Sequence, residues 1–155
     1  MPYRKVFMLV VSAQGDFHND PVMPIFSALS ERDKKLQKRT IGVITKPDLA
    51  SSHVEIFELI KGKLNFEKVK HGWHVIRNQS PHEREETLDE RDQKEIAYFD
   101  SPRWRELPDH RKGIASLRLT LKAVLRSRIK DALPQLVSEV KNKITETKRH
   151  LDIVT

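Results

Sequence analysis

Residues 39–48 read Arg39-Thr-Ile-Gly-Val-Ile-Thr-Lys-Pro-Asp48. The run from Thr40 to Ile44 is β-branched except at Gly42, which predicts a buried strand, and a polar turn ends that strand abruptly. In an open α/β sheet, ligands bind in the loops that follow the carboxyl ends of the strands. The turn is therefore the first candidate for a binding site.

The side chains of this turn suit a planar base that presents two neighbouring donors. The carboxylate of Asp48 can accept two parallel hydrogen bonds, such as those from the N1–H and the exocyclic amine of guanine, while the stem of Lys46 lies along the base face. Adenine lacks that pair of donors, so the turn predicts guanine rather than adenine. The alternative is that Thr-Lys-x-Asp is an ordinary surface turn.

Two further segments are predicted to pair with this strand in a parallel sheet. Residues 6–13 are almost all apolar without alternation, which predicts a central strand covered on both faces. Residues 72–77 predict a third strand that ends in a polar loop. The loops after the three strands are therefore expected to converge at one edge of the sheet.

Helical signals lie between the predicted strands, as parallel crossover connections require. Asn19 and Asp20 are suitable caps for a helix over residues 21–36. The pattern Ser52-x-x-Glu55 is typical of a capping box and predicts a second, short helix.

The middle of the chain is rich in charged residues. Residues 82–95 predict a solvated loop that passes into a helix around residues 91–99, and we assign this segment no chemistry. A linker follows, in which Trp104 and Leu107 are expected to pack on the core. His71 and His74 lie three residues apart, which places them on opposite faces of a strand, so no metal site is predicted and both are expected to be exposed or locally bonded.

The C-terminal part predicts a long amphipathic helix that begins at Gly113. Its apolar arc consists of Ile114, Leu117, Leu121, Val124 and Leu125. Pro134 removes a backbone donor and is expected to interrupt that helix, so we predict a kink or hinge there. A second apolar stripe follows and needs a cover; it consists of Leu136, Val137, Val140, Ile144 and Leu151.

These patterns predict an α/β fold. It consists of a partial parallel sheet of about three strands with crossover helices, followed by a long C-terminal helix kinked at Pro134. The 155 residues allow one domain of ordinary size with appendages. The absence of cysteine excludes disulfides, thiolate metal sites and a cysteine nucleophile, and fits a reducing compartment such as the cytoplasm.

The charge of the chain is unevenly distributed. The formal net charge is +7, yet residues 1–102 carry as many acidic as basic side chains, so the basic excess is C-terminal. Four basic residues recur at every fourth position of the long helix: Arg118, Lys122, Arg126 and Lys130. Such a stripe is usually a solvated face, but it permits contact with acidic lipid headgroups, nucleic acid or partner helices.

The order of these features resembles the dynamin and Mx family of large GTPases. The stretches that match are residues 11–16, residues 39–49, the strand and loop over residues 72–80, and the Leu133-Pro134 break followed by a basic helix. The resemblance implies that residues 1–112 form the C-terminal half of a GTPase domain. Residues 113–155 would then form its last helix and the first part of the connection to a helical bundle or stalk.

The resemblance also implies a role for individual residues. The guanine-binding residues would be Thr45, Lys46, Asp48, Asn78 and Gln79. Asp16 would lie in the loop that reaches across a dimer toward the partner's nucleotide, and Pro134 would be the hinge between the GTPase domain and the bundle. GTP or GDP would be the ligand, with Mg²⁺ bound in the longer parent protein.

The sequence departs from the family pattern in two ways. Gln79 stands where the family usually has arginine, and Ser51 stands where dynamins often have an acidic residue, so base affinity is expected to be weaker. No Gly-x-x-x-x-Gly-Lys-Ser/Thr and no Asp-x-Pro-Gly occurs. The family supplies those phosphate-binding and Mg²⁺-binding parts from the half of the domain upstream of Val6.

We therefore expect a piece of a dynamin-like GTPase, or a diverged relic of one, that is inactive alone. The resemblance implies that the parent hydrolyses GTP in membrane remodelling, self-associates, and is cytoplasmic or peripheral to membranes. Guanine nucleotide and an acidic membrane surface are the expected partners, and nucleic acid is not expected. The alternative from another class is a non-catalytic binding module whose basic C-terminal helices contact acidic lipids, nucleic acid or partner helices.

Overall fold

The computed structural model describes residues 5–64 and 69–154. Three strands form a parallel sheet in the order β1-β2-β3: β1 is Phe7–Ser12, β2 is Thr40–Thr45 and β3 is Trp73–Val75. Four α-helices accompany the sheet: α1 is Val22–Arg32, α2 is Val54–Ile60, α3 is Leu88–Asp100 and α4 is Gly113–Val154. The predicted α/β class, the three parallel strands and the long C-terminal helix are confirmed.

Strand β2 is the central strand of the sheet, because it pairs with β1 on one edge and with β3 on the other, and it packs on both faces. One face belongs to a core that includes residues of α1, α2 and α3, with Ile44 of β2 fully buried there. The opposite face contributes Ile41 and Val43 to a second core with Leu117 and Val124 of α4. Two-sided burial explains why the predicted strand is a continuous β-branched run rather than an alternating one.

The prediction that residues 6–13 form a central strand covered on both faces is wrong. Among the described residues, β1 pairs with β2 alone and forms one edge of the sheet. Leu9 and Val11 are buried, whereas Met8 and Val10 on the opposite face are 47% and 46% exposed. Helix α4 covers that face over β2 and leaves it uncovered over β1. An apolar run alone does not show whether one face or both faces of the strand will be buried by other segments.

The crossover helices differ from their predicted bounds for local reasons. Helix α1 ends at Arg32 rather than near residue 36, because Asp33 adopts an extended conformation. The Asp33 carboxylate pairs with Arg39 instead, at the start of β2. The predicted capping box at Ser52 does not form, since the Ser52 hydroxyl accepts a hydrogen bond from the Val54 amide at 3.2 Å and α2 has no side-chain cap.

The acidic middle segment is more ordered than predicted. Helix α3 begins at Leu88 because Thr87 and Glu90 form a capping box. A second capping box joins Ser80 and Glu83 around a short 3-10 helix. The expected packing of the following linker is confirmed, because Trp104 is fully buried.

Helix α4 runs without a break through Pro134, so the prediction that Pro134 interrupts the helix is wrong. A proline removes one backbone donor, and the hydrogen bonds of the neighbouring turns hold the two flanks together. The second apolar stripe lies on the outside of the molecule, and all five of its members, Leu136, Val137, Val140, Ile144 and Leu151, are exposed. The kink and the hinge at Pro134 remain predictions.

The imidazole of His74 is fully buried between the sheet and α4, which contradicts the expectation that it is exposed or locally bonded. Its Nε2 lies 3.0 Å from the hydroxyl oxygen of Thr120, 46 residues away along the chain. Burial lowers the pKa of His74 from 6.5 to about 4, and the positive charge of Arg111 acts in the same direction. The fold therefore holds His74 in its neutral form.

This burial predicts acid sensitivity. Because the pKa of His74 is lower in the folded than in the unfolded chain, its contribution is fully present above pH 6.5 and is lost as the pH falls toward 4. The loss amounts to about 3 kcal/mol of the free energy of unfolding. Urea unfolding at pH 7.0 and 4.5 should show a smaller pH-dependent loss for His74→Gln than for the parent chain.

His82→Gln is the matched control, since His82 is an exposed histidine on a surface loop. That variant should lose as much stability between the two pH values as the parent chain does. An unchanged acid-dependent loss in His74→Gln would contradict the buried neutral histidine.

Candidate functional site

The three loops predicted to converge leave the sheet at the same edge. The last residues of β1 and β2, Ser12 and Thr45, are paired in the register, and Ile44 is paired with Val75, the last residue of β3. The ladder continues one step beyond the strands, where the amide of Ile76 donates to the carbonyl of Ile44 at 2.9 Å. The hydrogen-bonded edge of the sheet thus fixes the positions from which all three loops begin.

The turn after β2 exposes two of its three predicted guanine-binding side chains. Thr45 is half-buried, and its hydroxyl donates to the carbonyl of Val11 at 3.1 Å, so it joins β2 to β1. Lys46 follows in the left-handed conformation, with φ 56° and ψ 45°, and a short 3-10 helix, Pro47–Leu49, comes next. Pro47 is buried, whereas Lys46 and Asp48 are exposed.

Lys46 has an unusual backbone conformation within this turn. Lys46 is the one non-glycine residue with positive φ in the described part of the chain. A side chain in this region of backbone space costs roughly 1 kcal/mol or more, and such strain concentrates at functional sites. The left-handed residue ends the extended run of β2 and leads directly into the 3-10 helix that carries Asp48.

The loop after β3 is fixed on both sides of Asn78 and Gln79 by carboxylates. The amide of Arg77 donates to Oε1 of Glu95 at 2.8 Å, and the amide of Ser80 donates to Oε2 of Glu83 at 2.9 Å. Between these points, the side-chain nitrogen of Gln79 donates to the carbonyl of Glu86 at 3.2 Å, and Asn78 is exposed. The side chain of Asn78 is therefore exposed to solvent on a backbone that is hydrogen-bonded on both sides. The side chain of Gln79 is instead hydrogen-bonded within the segment that follows.

A strong ion pair lies beneath this loop. Arg77 Nη2 donates to both carboxylate oxygens of Glu83, at 2.8 and 3.1 Å. This bond lowers the pKa of Glu83 to about 2, with help from the Ser80 amide. The same bond raises the pKa of Arg77, and the nearby charge of Asp48 adds to the effect. Asp48 thus lies within electrostatic range of the loop that carries Asn78.

Tyr98 of α3 also lies within electrostatic range of Asp48. Burial raises the pKa of Tyr98, and the negative charge of Asp48 raises it further. Tyr98 is also packed against Trp104, with ring centroids 5.5 Å apart. The charge of Asp48 therefore acts on both Arg77 and Tyr98, which precede or pack near the loop after β3.

The remaining predicted site residues lie elsewhere or are engaged locally. Asp16 uses both carboxylate oxygens in its own loop, accepting from the His18 amide at 2.8 Å and from the Asn19 side chain at 2.7 Å. Pro134 lies within α4, beyond the part of that helix that is packed on the sheet. Over residues 5–64 and 69–154, no three His, Asp or Glu side chains come together as metal ligands.

Comparisons with known proteins show the family to which the chain is similar. The family model described as the dynamin central region matches residues 57–154, which is more than half of the chain. Dynamin-related protein DNM1 of Saccharomyces cerevisiae is 33% identical over 119 residues, which cover 74% of this chain and 15% of that protein. The chain belongs to the dynamin family.

Other relatives from the dynamin family support the same assignment. The interferon-induced GTP-binding protein Mx2 of Ictalurus punctatus is 35% identical over 123 residues, covering 74% of this chain and 19% of that protein. Dynamin-A of Dictyostelium discoideum is 28% identical over 152 residues, which cover 94% of this chain and 17% of that protein. The chain spans less than a fifth of the length of each of these relatives. No helix in the described ranges is long and apolar enough to cross a membrane.

One residue at the candidate site of this dynamin-family chain escaped the sequence reasoning. The charge pattern predicts that Glu95 belongs to a solvated acidic segment, yet Glu95 is only 4% exposed and supports the loop after β3. A signal was present in the spacing, because Glu95 and the buried Phe99 are four residues apart and so share one face of α3. A charged residue on the apolar face of a helix indicates a specific partner.

The strained turn predicts a stability difference between two substitutions at Lys46. Glycine adopts positive φ without steric cost, whereas alanine retains the Cβ atom that makes this conformation unfavourable. Both variants lose the amine. The free energy of unfolding measured in urea should therefore be about 1 kcal/mol larger for Lys46→Gly than for Lys46→Ala. Equal stability, or a more stable alanine variant, would show that the turn is not held in the left-handed conformation.

Proposed function

We propose that this chain reads the guanine base of GTP or GDP within a dynamin-like GTPase. In this proposal residues 1–112 are the C-terminal half of the GTPase domain, and residues 113–155 connect it to a helical bundle. The observation that carries the proposal is the exposure of Asp48 and Asn78 on two loops that leave the same edge of one sheet. Membership of the dynamin family supports it, and the name of the Mx2 relative includes GTP binding.

The chemistry of base recognition follows from the donor and acceptor inventory. The two oxygens of Asp48 would accept from N1–H and the exocyclic amine of guanine, and the aliphatic stem of Lys46 would cover one face of the ring. Asn78 would supply an amide to the polar edge of the base. Thr45 would act through the backbone, because its hydroxyl is already bonded to the carbonyl of Val11.

Gln79 is proposed to have a weaker role than the other four residues. Its side-chain nitrogen donates to the carbonyl of Glu86, so the side chain is directed into the loop that it stabilises. It would limit the mobility of Asn78 rather than contact the base strongly. This position also departs from the arginine that the family usually has, which is consistent with a modest base affinity.

Mg²⁺ binding and phosphoryl transfer are not assigned to these residues. Phosphoryl transfer needs a nest of backbone amides, a lysine on the phosphates and oxygen ligands for the metal. The described residues do not gather a set of carboxylates for a metal, and Asp16 uses both of its oxygens within its own loop. The proposal therefore covers base recognition alone.

The exposed edge of β1 is consistent with half of a larger domain. Met8 and Val10 are apolar and about half exposed on the face that α4 leaves open, and β1 has an unused pairing edge among the described residues. Exposed apolar strand edges are normally covered in a finished domain. We propose that the upstream half of the GTPase domain covers this surface. Membrane remodelling, GTP hydrolysis and a cytoplasmic location are proposals for that longer protein.

Nuclear magnetic resonance titration with GMP and AMP tests the proposed base site. GMP should shift the amide signals of residues 45, 46, 48–50 and 76–80 with an affinity in the millimolar range, since the charge-assisted phosphate contacts are missing. AMP should leave those signals unchanged. Asp48→Asn should abolish the preference, and Asp20→Asn provides a control carboxylate on another loop. Equal shifts with both nucleotides, or shifts outside these loops, would refute the site.

We also propose that the exposed stripe of α4 mediates self-association. Five apolar side chains on one helix face, from Leu136 to Leu151, are uncovered, and such a surface is usually buried against another helix. Sedimentation equilibrium over a hundredfold concentration range should show a mass that rises with concentration. Val140→Glu should suppress the rise.

The matched control for that experiment is Ser138→Glu, which adds the same charge at an exposed position two residues away on the helix. Ser138 lies off the apolar stripe, so its variant should associate as the parent chain does. A strictly monomeric parent chain, or equal effects of the two substitutions, would exclude self-association through this stripe.

A further inference from the structure

The carboxylate of Glu95 is bonded to two parts of the chain that lie far apart in sequence. Its Oε1 accepts from the amide of Arg77 at 2.8 Å, and its Oε2 accepts from the amide of Ile114 at 2.8 Å. Arg77 directly precedes Asn78, and Ile114 is the second residue of α4. One buried side chain thus contacts both the loop of the proposed base site and the start of the longest helix.

The start of α4 is held against the sheet by further contacts at the same place. Lys112 forms an isolated parallel bridge with Val75, the last residue of β3. Gly113 has a φ of +81°, and a Cβ atom added there would lie 3.5 Å from Oε2 of Glu95. The loop after β3 and the first turn of α4 are therefore in close contact, with Glu95 between them.

Breaking only one of the two hydrogen bonds of the Glu95 carboxylate is unfavourable. A carboxylate accepts hydrogen bonds and donates none, and here each oxygen has one backbone donor. Burial of a carboxylate is unfavourable unless its oxygens are bonded. If either backbone segment moved away, one oxygen of a side chain that is only 4% exposed would lose its partner. Movement of one segment is thus coupled to movement of the other.

We propose that Glu95 is a positioning residue that couples the loop carrying Asn78 and Gln79 to the start of helix α4. A displacement of the loop would shift the carboxylate, and the carboxylate would shift the amide of Ile114 and the first turn of α4. The proposed coupling runs through the two bonds of the Glu95 carboxylate, beside the bridge between Lys112 and Val75. Only the identity of the ligand that moves the loop rests on the proposed guanine site.

The first test replaces one acceptor oxygen by a donor. In Glu95→Gln the carboxamide keeps one oxygen, so one of the two backbone amides faces an NH₂ group instead of an acceptor. Hydrogen exchange should become at least tenfold faster at Arg77 or Ile114, and the amide signals of residues 78–80 and 113–116 should change together. Asp100→Asn, an exposed residue at the end of α3, should change neither group.

The second test leaves Glu95 in place. Gly113→Ala strains the start of α4, because alanine is unfavourable at positive φ. The amide signals of residues 78–80 should shift in this variant although the substitution lies on the far side of Glu95. In Glu95→Gln, the additional Gly113→Ala substitution should shift those signals by less than half as much. If Glu95→Gln does not fold, the Gly113→Ala variant alone still tests the coupling, because unmoved signals at residues 78–80 would contradict it.

The outcomes separate the coupling from the proposed function. Unmoved signals at residues 78–80 in Gly113→Ala, or the same shift with and without the Glu95 carboxylate, would overturn the coupling. A chain that passes both tests but fails to bind GMP would retain the coupling and lose the guanine site. A chain that binds GMP without any change at residues 113–116 would retain the site and lose the coupling.

Discussion

The burial of β2 on both faces is the constraint on which the rest of the structure depends. Helices α1, α2 and α3 contribute to the core on one side and α4 to that on the other, so each layer is positioned through the same six residues. Gly42 is part of this constraint, because a Cβ atom there would lie 2.3 Å from the ring of Trp73 on β3. The close approach of the two strands fixes the edge at which the loops emerge.

The candidate site combines a fixed sheet edge with a strained backbone conformation at Lys46. The register of the strands fixes where the turn after β2 and the loop after β3 begin. The left-handed Lys46 then leads into the 3-10 helix that carries the exposed Asp48, and carboxylates hold the backbone on both sides of Asn78. Preorganisation of this kind lowers the cost of ordering the loops when a ligand binds.

Sequence reasoning was successful where a residue's environment is decided locally. The β-branched run over residues 40–44 and its polar turn identified β2 and the candidate site, because both signals lie within ten residues. Predictions from the sequence were wrong where the burial of a residue depends on a segment far away along the chain. The exposure of Met8 depends on how far α4 extends across the sheet, and the burial of His74 depends on Thr120.

The failures at Glu95 and Pro134 have a different physical origin. Glu95 is a charged residue whose partners are backbone amides, and backbone partners leave no pattern in the sequence. Pro134 was expected to interrupt α4, but the loss of one donor is small compared with the hydrogen bonds on either side. The roles of Asp48 and Asn78 were predicted from resemblance and chemistry, and only their exposure and placement follow from the fold.

Base reading by Asp48 through two parallel hydrogen bonds is tested most directly by exchanging the acceptor pattern at position 48. Xanthine has a carbonyl where guanine has the exocyclic amine, so it presents one donor and one acceptor. An asparagine at position 48 offers the complementary acceptor and donor. The dissociation constants of GMP and XMP should therefore show a preference for GMP in the parent chain and for XMP in Asp48→Asn. An unchanged order of affinity in the variant would contradict base reading by Asp48.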